Sequence, residues 1–327
     1  MIFNDEFRNN FMISWCINKT CNFRCAYCTQ SKAKHKPETP IDLEKLKSSL
    51  DDLGENWIFH LSGGEPFLET SFIKICQLIT EKHYLSFNSN LSTNNVFDFA
   101  EKVDPQRVLF INAAVHIIER EKRDFNLKKY IEKISFLQKK GFNVIASYVA
   151  HPSLFNRIAN DMEALERANI QKVRIKIFRG VYNNSYYPSS FNPEERKLLE
   201  SLDSDYPELE ILNKNHNYKG KLCRAGQRFF RMDRAGNLHR CSCLKRSYGN
   251  LFNGGIKYDS NMRPCPVNNC GCPYEGIRNI LPHRAKNVDI LKEFIFEKSL
   301  RLQAMLKKPI PLNKIKEKTI EYMALYR

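Results

Sequence analysis

Between residues 11 and 200 the chain alternates short apolar, β-branched runs with longer stretches whose apolar positions recur every three or four residues. The short runs are FMISWCIN, WIFHLSG, YLSFNSN, VLFINAAVHI, NVIASYVA and KVRIKIF. Between them lie IDLEKLKSSLDDLG, SFIKICQLITEKH, NVFDFAEKV, NLKKYIEKISFLQKKG and RIANDMEALERAN. In the fourth of these, Tyr130, Ile131, Ile134, Phe136 and Leu137 form a helical stripe, and Gly141 suits a helix C-terminus. Strands separated by helices of this length predict βαβ units on a parallel sheet. Six such units predict an α/β fold, a partial (β/α)6 TIM-like barrel, with its chemistry at the C-terminal ends of the strands.

After about residue 200 the pattern changes. Residues 205–220 read as a linker with a short extended piece. Residues 221–276 are rich in Cys, Gly, Arg and Asn and lack long periodicity, which predicts a small, loop-rich, metal-stapled module. Residues 283–327 read as helical, broken at KKPIPL. The expected organisation is a core over 1–204, a Cys-rich module over 205–280 and a basic helical tail over 281–327.

Composition narrows the class. The chain has 327 residues, 42% of them hydrophobic and 27% charged, and no apolar run long enough to span a membrane. No signal-peptide pattern opens the sequence, so a cytoplasmic protein is expected, with no membrane partner. The net charge of +16 suits a basic surface or an acidic partner. Its densest part is 283–327, with 11 Lys+Arg against 5 Asp+Glu. That tail is the one hint of nucleic-acid binding, and no RNA-binding signature accompanies it. Eleven cysteines in a reducing compartment point to metal or redox chemistry. Cys16 and Cys76 fall in apolar runs and read as buried structural thiols.

Three cysteines, Cys21, Cys25 and Cys28, crowd one turn in CNFRCAYC, directly after the first strand. A structural zinc site wants four ligands. Three thiols can hold a 4Fe–4S cube with one iron open to a small molecule. LSGGEP, Leu61 to Pro66, follows at the second strand. The CxxxCx(aromatic)C spacing, this GGEP turn and the repeated βα pattern resemble the radical S-adenosylmethionine (SAM) superfamily over residues 10–200. The resemblance implies a 4Fe–4S cluster on Cys21, Cys25 and Cys28. It implies Tyr27 near the adenine of S-adenosyl-L-methionine and Gly63, Gly64 and Glu65 at its amine. FNSNLST points to Ser89 and Asn90 for its carboxylate or ribose. In NAAVH, Ala114 and His116 stand where many relatives have Ser and Asp. His116 is a candidate ribose or substrate contact, against a purely structural histidine. Arg179, after the sixth strand, is a candidate carboxylate ligand. The implied reaction is reductive cleavage of SAM to a 5′-deoxyadenosyl radical, which abstracts a substrate hydrogen. Flavodoxin or ferredoxin would donate the electron. No catalytic side chain is assigned.

The late cysteines extend the resemblance. Cys223, Gly236 and Cys241 form CX12GX4C around a hairpin signal at DRAGN. This arrangement resembles the start of SPASM and twitch modules, which hold auxiliary 4Fe–4S clusters. Cys265, Cys270 and Cys272 follow, too few for a full SPASM pattern. One auxiliary cluster is therefore expected, on Cys223 and Cys241 with two of Cys265, Cys270 and Cys272; Cys243 reads as a spare thiol. Zinc on the same residues is the alternative. Substrate classes left open are a ribosomal natural-product peptide and a small polar molecule such as a sugar or nucleotide. A non-catalytic iron–sulfur relay or scaffold is the competing function, and a relay has no use for an open iron.

Overall fold

In a computed structural model, all six expected strands form. It describes residues 9–28, 38–54, 56–122, 127–170, 173–202, 208–214, 216–284 and 287–306. The expected helical tail beyond 306 lies outside them. The chain falls into two compact units, residues 1–214 and 215–327.

In the first unit the strands are β1 (Met12–Asn18), β2 (Ile58–Gly63), β3 (Tyr84–Ser89), β4 (Val108–Ala114), β5 (Val144–Ala150) and β6 (Val173–Ile177). Each pairs in parallel with the next, in chain order. The helices between them are α1 (Leu43–Asp51), α2 (Phe72–Lys82), α3 (Asn95–Lys102), α4 (Ile117–Lys122), α5 (Leu127–Lys139) and α6 (Ile158–Arg167). This is the partial (β/α) barrel that the sequence pattern predicts.

Local chemistry sets the helix ends. Asp42 caps α1 through a bond from Lys45 N–H, 3.0 Å. After α5, Gly141 takes φ +88° and Phe142 N–H reaches back to Leu137 O, 3.0 Å. Tyr130, Ile134 and Leu137 bury the α5 stripe.

The strands alternate, which is unusual for a parallel sheet covered on both faces. Trp15, Phe59, Leu61, Leu85, Phe87, Ile111, Ala113 and Ala146 are buried. On the other face Met12, Ile58, Phe110 and Ile145 are also buried, but toward the C-terminal ends of β2, β3 and β4 the side chains are polar and hydrogen-bonded to one another. His60 Nδ1 lies 2.9 Å from Ser86 Oγ, Asn88 Nδ2 lies 3.1 Å from His60 Nε2, and Asn112 Nδ2 donates to Asn88 Oδ1 at 2.9 Å. His60, Asn88 and Asn112 are only half-buried. One face of the sheet is an apolar core, and the other opens at the C-terminal ends of the strands into a polar, partly open lumen. Cys76 is buried as expected, whereas Cys16 is half-buried on this polar face of β1.

After β6 come a hairpin, β7 (Gly180–Tyr182) with β8 (Ser185–Tyr187), and then α7 (Pro193–Leu202). The expected linker contains a helix, α8 (Glu208–Asn213). Tertiary contacts make it: the buried Glu208 carboxylate accepts Ile177 N–H at 2.9 Å and pairs with Lys176 at 3.0 Å.

The second unit has two small sheets. β10 (Phe229–Met232), β11 (Asn237–Cys241), β12 (Leu244–Asn250) and β13 (Gly255–Ile256) run antiparallel in order, and β9 (Lys221–Cys223) lies between β14 (Arg263–Pro264) and β15 (Ile280–Arg284). Helices α9 (Pro273–Asn279) and α10 (Asn287–Leu306) complete it. The β10–β11 turn is the hairpin expected at DRAGN, with Gly236 at φ +83°.

Candidate functional site

The C-terminal ends of β1 and β2 are stitched together, and the stitch leads directly into the cysteine turn. Gly64 N–H donates to Asn18 O at 3.0 Å and to Asn18 Oδ1 at 3.1 Å. Glu65 N–H donates to Thr20 O at 2.8 Å, and Asn18 Nδ2 donates back to Glu65 O at 2.8 Å. Both glycines are required. A Cβ on Gly63, which sits at φ +143°, would lie 2.2 Å from Asn18 O, and one on Gly64 would lie 2.0 Å from Thr20 O.

Glu65 closes the turn from the other side. Its carboxylate is 1% exposed and accepts from Ser89 Oγ at 2.7 Å, Asn90 N–H at 2.7 Å and Phe67 N–H at 3.2 Å. Burial raises its pKa and these donors oppose the rise. The Glu65 carboxylate is thus engaged within the protein and fixes the turn. Asn90 Nδ2 donates to Asn22 Oδ1 at 3.1 Å, which ties β3 to the cysteine turn.

The β4–α4 corner forms a second wall. His116 sits at φ +47°, a left-handed conformation uncommon for histidine. Its Nδ1 is 2.8 Å from Tyr27 Oη, and the Tyr27 ring lies 5.7 Å from that of His151, at the end of β5. Burial, with the nearby Arg120 guanidinium, lowers the His116 pKa to about 4, so the ring is neutral at pH 7. Two residues that the sequence pattern gave no reason to single out follow it. Glu119 accepts Arg24 N–H at 2.8 Å. Arg120 is buried, donates to the carbonyls of Val115, Asn90 and Ala114, and lies over the rings of Phe23 and Tyr130. Helix α4 thus clamps the cysteine turn. Arg179 is exposed beyond β6.

Within the turn, Cys25 is buried, Cys21 half-buried and Cys28 exposed. Phe23 N–H donates to Cys21 Sγ at 3.4 Å, and Cys28 N–H to Cys25 O at 3.0 Å. Burial pushes the Cys25 thiol up to about 12, and Glu119 is the largest charge adding to that push. Among the described residues, no three His, Cys, Asp or Glu side chains are drawn together as a single metal ion would hold them. Three thiols on one turn form a soft donor set that suits an iron–sulfur cluster.

The second unit has its own thiol site. Cys223, Cys241, Cys243, Cys265 and Cys270 line one small cavity, with the buried Arg240 and Glu275. Arg240 is fixed by the carbonyls of Ala225, Arg263 and Pro264 and by Glu293. Glu275 accepts Ser242 N–H at 3.0 Å and Ser242 Oγ–H at 2.6 Å, which pins the β11–β12 turn. Cys243 is no isolated thiol: Gly271 N–H donates to its Sγ at 3.0 Å, and hydrogen bonds with Cys241 and Cys270 pull its pKa down. Cys272 caps α9 and does not line the cavity. Glycines again leave room: a Cβ on Gly271 would sit 3.2 Å from Cys243 Sγ, and one on Gly276 would sit 3.2 Å from Cys270 Sγ.

Comparison with known proteins agrees with the first unit's architecture. A search of curated proteins by sequence gave no match. Among solved structures, native anSMEcpe with bound AdoMet superposes with a TM-score of 0.53 at 16% identity, covering 74% of this chain and 78% of that one. Streptococcus suis SuiB bound to its precursor peptide SuiA gives 0.54 at 12% identity, covering 77% of this chain and 65% of SuiB. At these identities the likeness is one of fold. The sequence pattern of the Radical SAM superfamily matches residues 15–203, more than half of the chain, and the protein therefore belongs to that superfamily.

Proposed function

We propose that this protein reductively cleaves S-adenosylmethionine and uses the resulting 5′-deoxyadenosyl radical to take a hydrogen atom from a substrate. The observation that carries this reading is the three-thiol turn of Cys21, Cys25 and Cys28, stitched through Asn18 and Thr20 to the Gly63–Gly64 turn. Cys21, Cys25 and Cys28 would hold a 4Fe–4S cluster, which would supply the electron for cleavage and a site for the SAM amine and carboxylate.

The chain's own residues set the geometry. The Gly63–Glu65 backbone faces the amine. Ser89 and Asn90 shape the adjoining wall, with their hydroxyl and amide engaged by Glu65 and Asn22. Tyr27, held by His116, provides the aromatic face for the adenine. His116 acts through Tyr27, and its ring is uncharged at pH 7. Arg179, exposed, has the weakest support of the candidate ligands.

The second-unit cavity holds one auxiliary 4Fe–4S cluster in this reading, within an auxiliary module over 205–280. Its ligands come from Cys223, Cys241, Cys243, Cys265 and Cys270, with Cys243 in place of Cys272. It would accept an electron during substrate oxidation. A flavodoxin or ferredoxin in the cytoplasm is the electron donor. No helix among the described residues is long and apolar enough to cross a membrane.

A peptide is the favoured substrate, supported by structures of SuiB bound to precursor peptide SuiA and of anSMEcpe bound to Cp18Cys peptide. The polar lumen around His60, Asn88 and Asn112 favours a small polar molecule as the second reading. The test is anaerobic incubation of the reconstituted protein with dithionite and SAM. Wild type is expected to form 5′-deoxyadenosine and the Cys21/Cys25/Cys28→Ala variant none. A cluster-loaded wild type that forms none would favour a relay.

A further inference from the structure

Arg240 is buried against the thiol cavity of the second unit, 1% exposed. It directly precedes Cys241, and its guanidinium reaches the chain beside two further cysteines. Nε–H donates to Ala225 O at 3.0 Å, two residues past Cys223. The Nη2 donors reach Arg263 O and Pro264 O, both at 3.1 Å, directly before Cys265. One Nη1–H donates to Glu293 Oε1 at 2.5 Å. A guanidinium has five N–H donors, four of them engaged in these bonds. The fifth matches the hydrogen bond that Arg240 makes to the Cys223 thiol, whose sulfur also accepts Ala225 N–H. Burial raises the Cys223 pKa, and Arg240 is the largest influence opposing that rise. One side chain thus fixes the backbone at Cys223, Cys241 and Cys265 and places a cationic donor on a cavity thiol. Hydrogen bonds to sulfur set an iron–sulfur potential, and a charged donor makes the stronger bond.

We propose that Arg240 donates a hydrogen bond to the Cys223 thiolate of the second-unit 4Fe–4S cluster and raises that cluster's reduction potential, which makes it a better electron acceptor during substrate oxidation. A donor on a ligand sulfur draws charge from it and favours the more negative, reduced state. The step concerned is one electron added to a [4Fe–4S]2+ cluster to give [4Fe–4S]+. The substrate radical gives that electron in the reaction, and dithionite gives it in the test. The inference rests on the auxiliary-cluster reading above, and its test separates the two.

The test uses the reconstituted full chain carrying Cys21/Cys25/Cys28→Ala, so that the second-unit cluster alone gives the electron paramagnetic resonance signal of the reduced state. Adding Arg240→Met removes the donors, while Arg246 at 3.1 Å and Arg263 at 3.4 Å still pair Glu293. In an anaerobic potentiometric titration, Arg240→Met is expected to lower the equilibrium constant for reduction at least tenfold, about 59 mV for one electron, at unchanged iron content. A loaded Arg240→Met protein within twofold of its parent would overturn the proposal and leave Arg240 as a structural clasp. A second measurement needs no substitution at Arg240, the one arginine among the described residues that lines the cavity. The parent is grown with arginine carrying nitrogen-15 in its guanidine group, and pulsed electron paramagnetic resonance is expected to show coupling of that nitrogen to the reduced cluster. Absence of the coupling would overturn the proposal, whether or not Arg240→Met loads iron. A parent that binds zinc and gives no signal would instead remove the auxiliary-cluster reading itself, and the proposal with it.

Discussion

Gly64→Ala tests whether the β2 turn positions the cysteine turn. An ideal Cβ on Gly64 lies 2.0 Å from Thr20 O and 2.5 Å from Thr20 C. Non-bonded heavy atoms settle near 3.5 Å, so residues 19–20, next to Cys21, must move by more than about 1 Å. The move breaks the 2.8 Å bond from Glu65 N–H to Thr20 O. Overpacking of this kind costs about 1–3 kcal/mol, and losing the hydrogen bond adds about 1 kcal/mol. A total of about 2–4 kcal/mol lowers the melting temperature of a unit of this size by roughly 4–16 °C. The assay is thermal unfolding of the metal-free protein, together with iron bound per chain after anaerobic reconstitution. The variant should melt lower and load less iron. Gly54→Ala is the control, because a Cβ there meets nothing within 4 Å. Melting within about 2 °C of wild type, with full iron loading, would refute the close approach.

Two further outcomes follow from the same geometry. His116 titrates near 4 in the folded protein against about 6.5 unfolded, so its contribution to stability is complete above pH 6.5 and is lost as pH falls toward 4. His116→Asn, which tolerates the left-handed backbone, should flatten the acid limb of a stability-versus-pH curve; an unchanged limb would contradict a buried neutral ring. In the second unit, Cys243→Ser should reduce auxiliary iron while Cys272→Ser should not, by metal analysis of each variant; the reverse result would return Cys272 to the ligand set.

The six strands and the helices between them were legible because each buries one apolar stripe, and the stripes keep their period from Met12 to Ile177. Helix α8 was not legible: six residues in an apparent linker are fixed by Glu208 reaching Ile177 and Lys176, a contact with no local signature. The site divides in the same way. The cysteine turn and the GGEP turn carry local spacing that chemistry explains. Asn18, Asn22, Glu119 and Arg120 reach across 47, 68, 95 and 30 residues of chain through hydrogen bonds, and isolated polar residues of this kind look ordinary in a sequence. Cys243 looked spare because spacing separates it from Cys270, which the fold brings to the same cavity.

The most direct test of two separate cluster sites in one chain is iron and sulfide content after anaerobic reconstitution. It would be measured in wild type, in Cys21/Cys25/Cys28→Ala and in Cys223/Cys241→Ala. About eight irons in wild type and about four in each variant is the expected result. About four irons in wild type, none in the Cys21/Cys25/Cys28→Ala variant and zinc in both would contradict it, making the second-unit cavity a zinc site with no part in electron transfer.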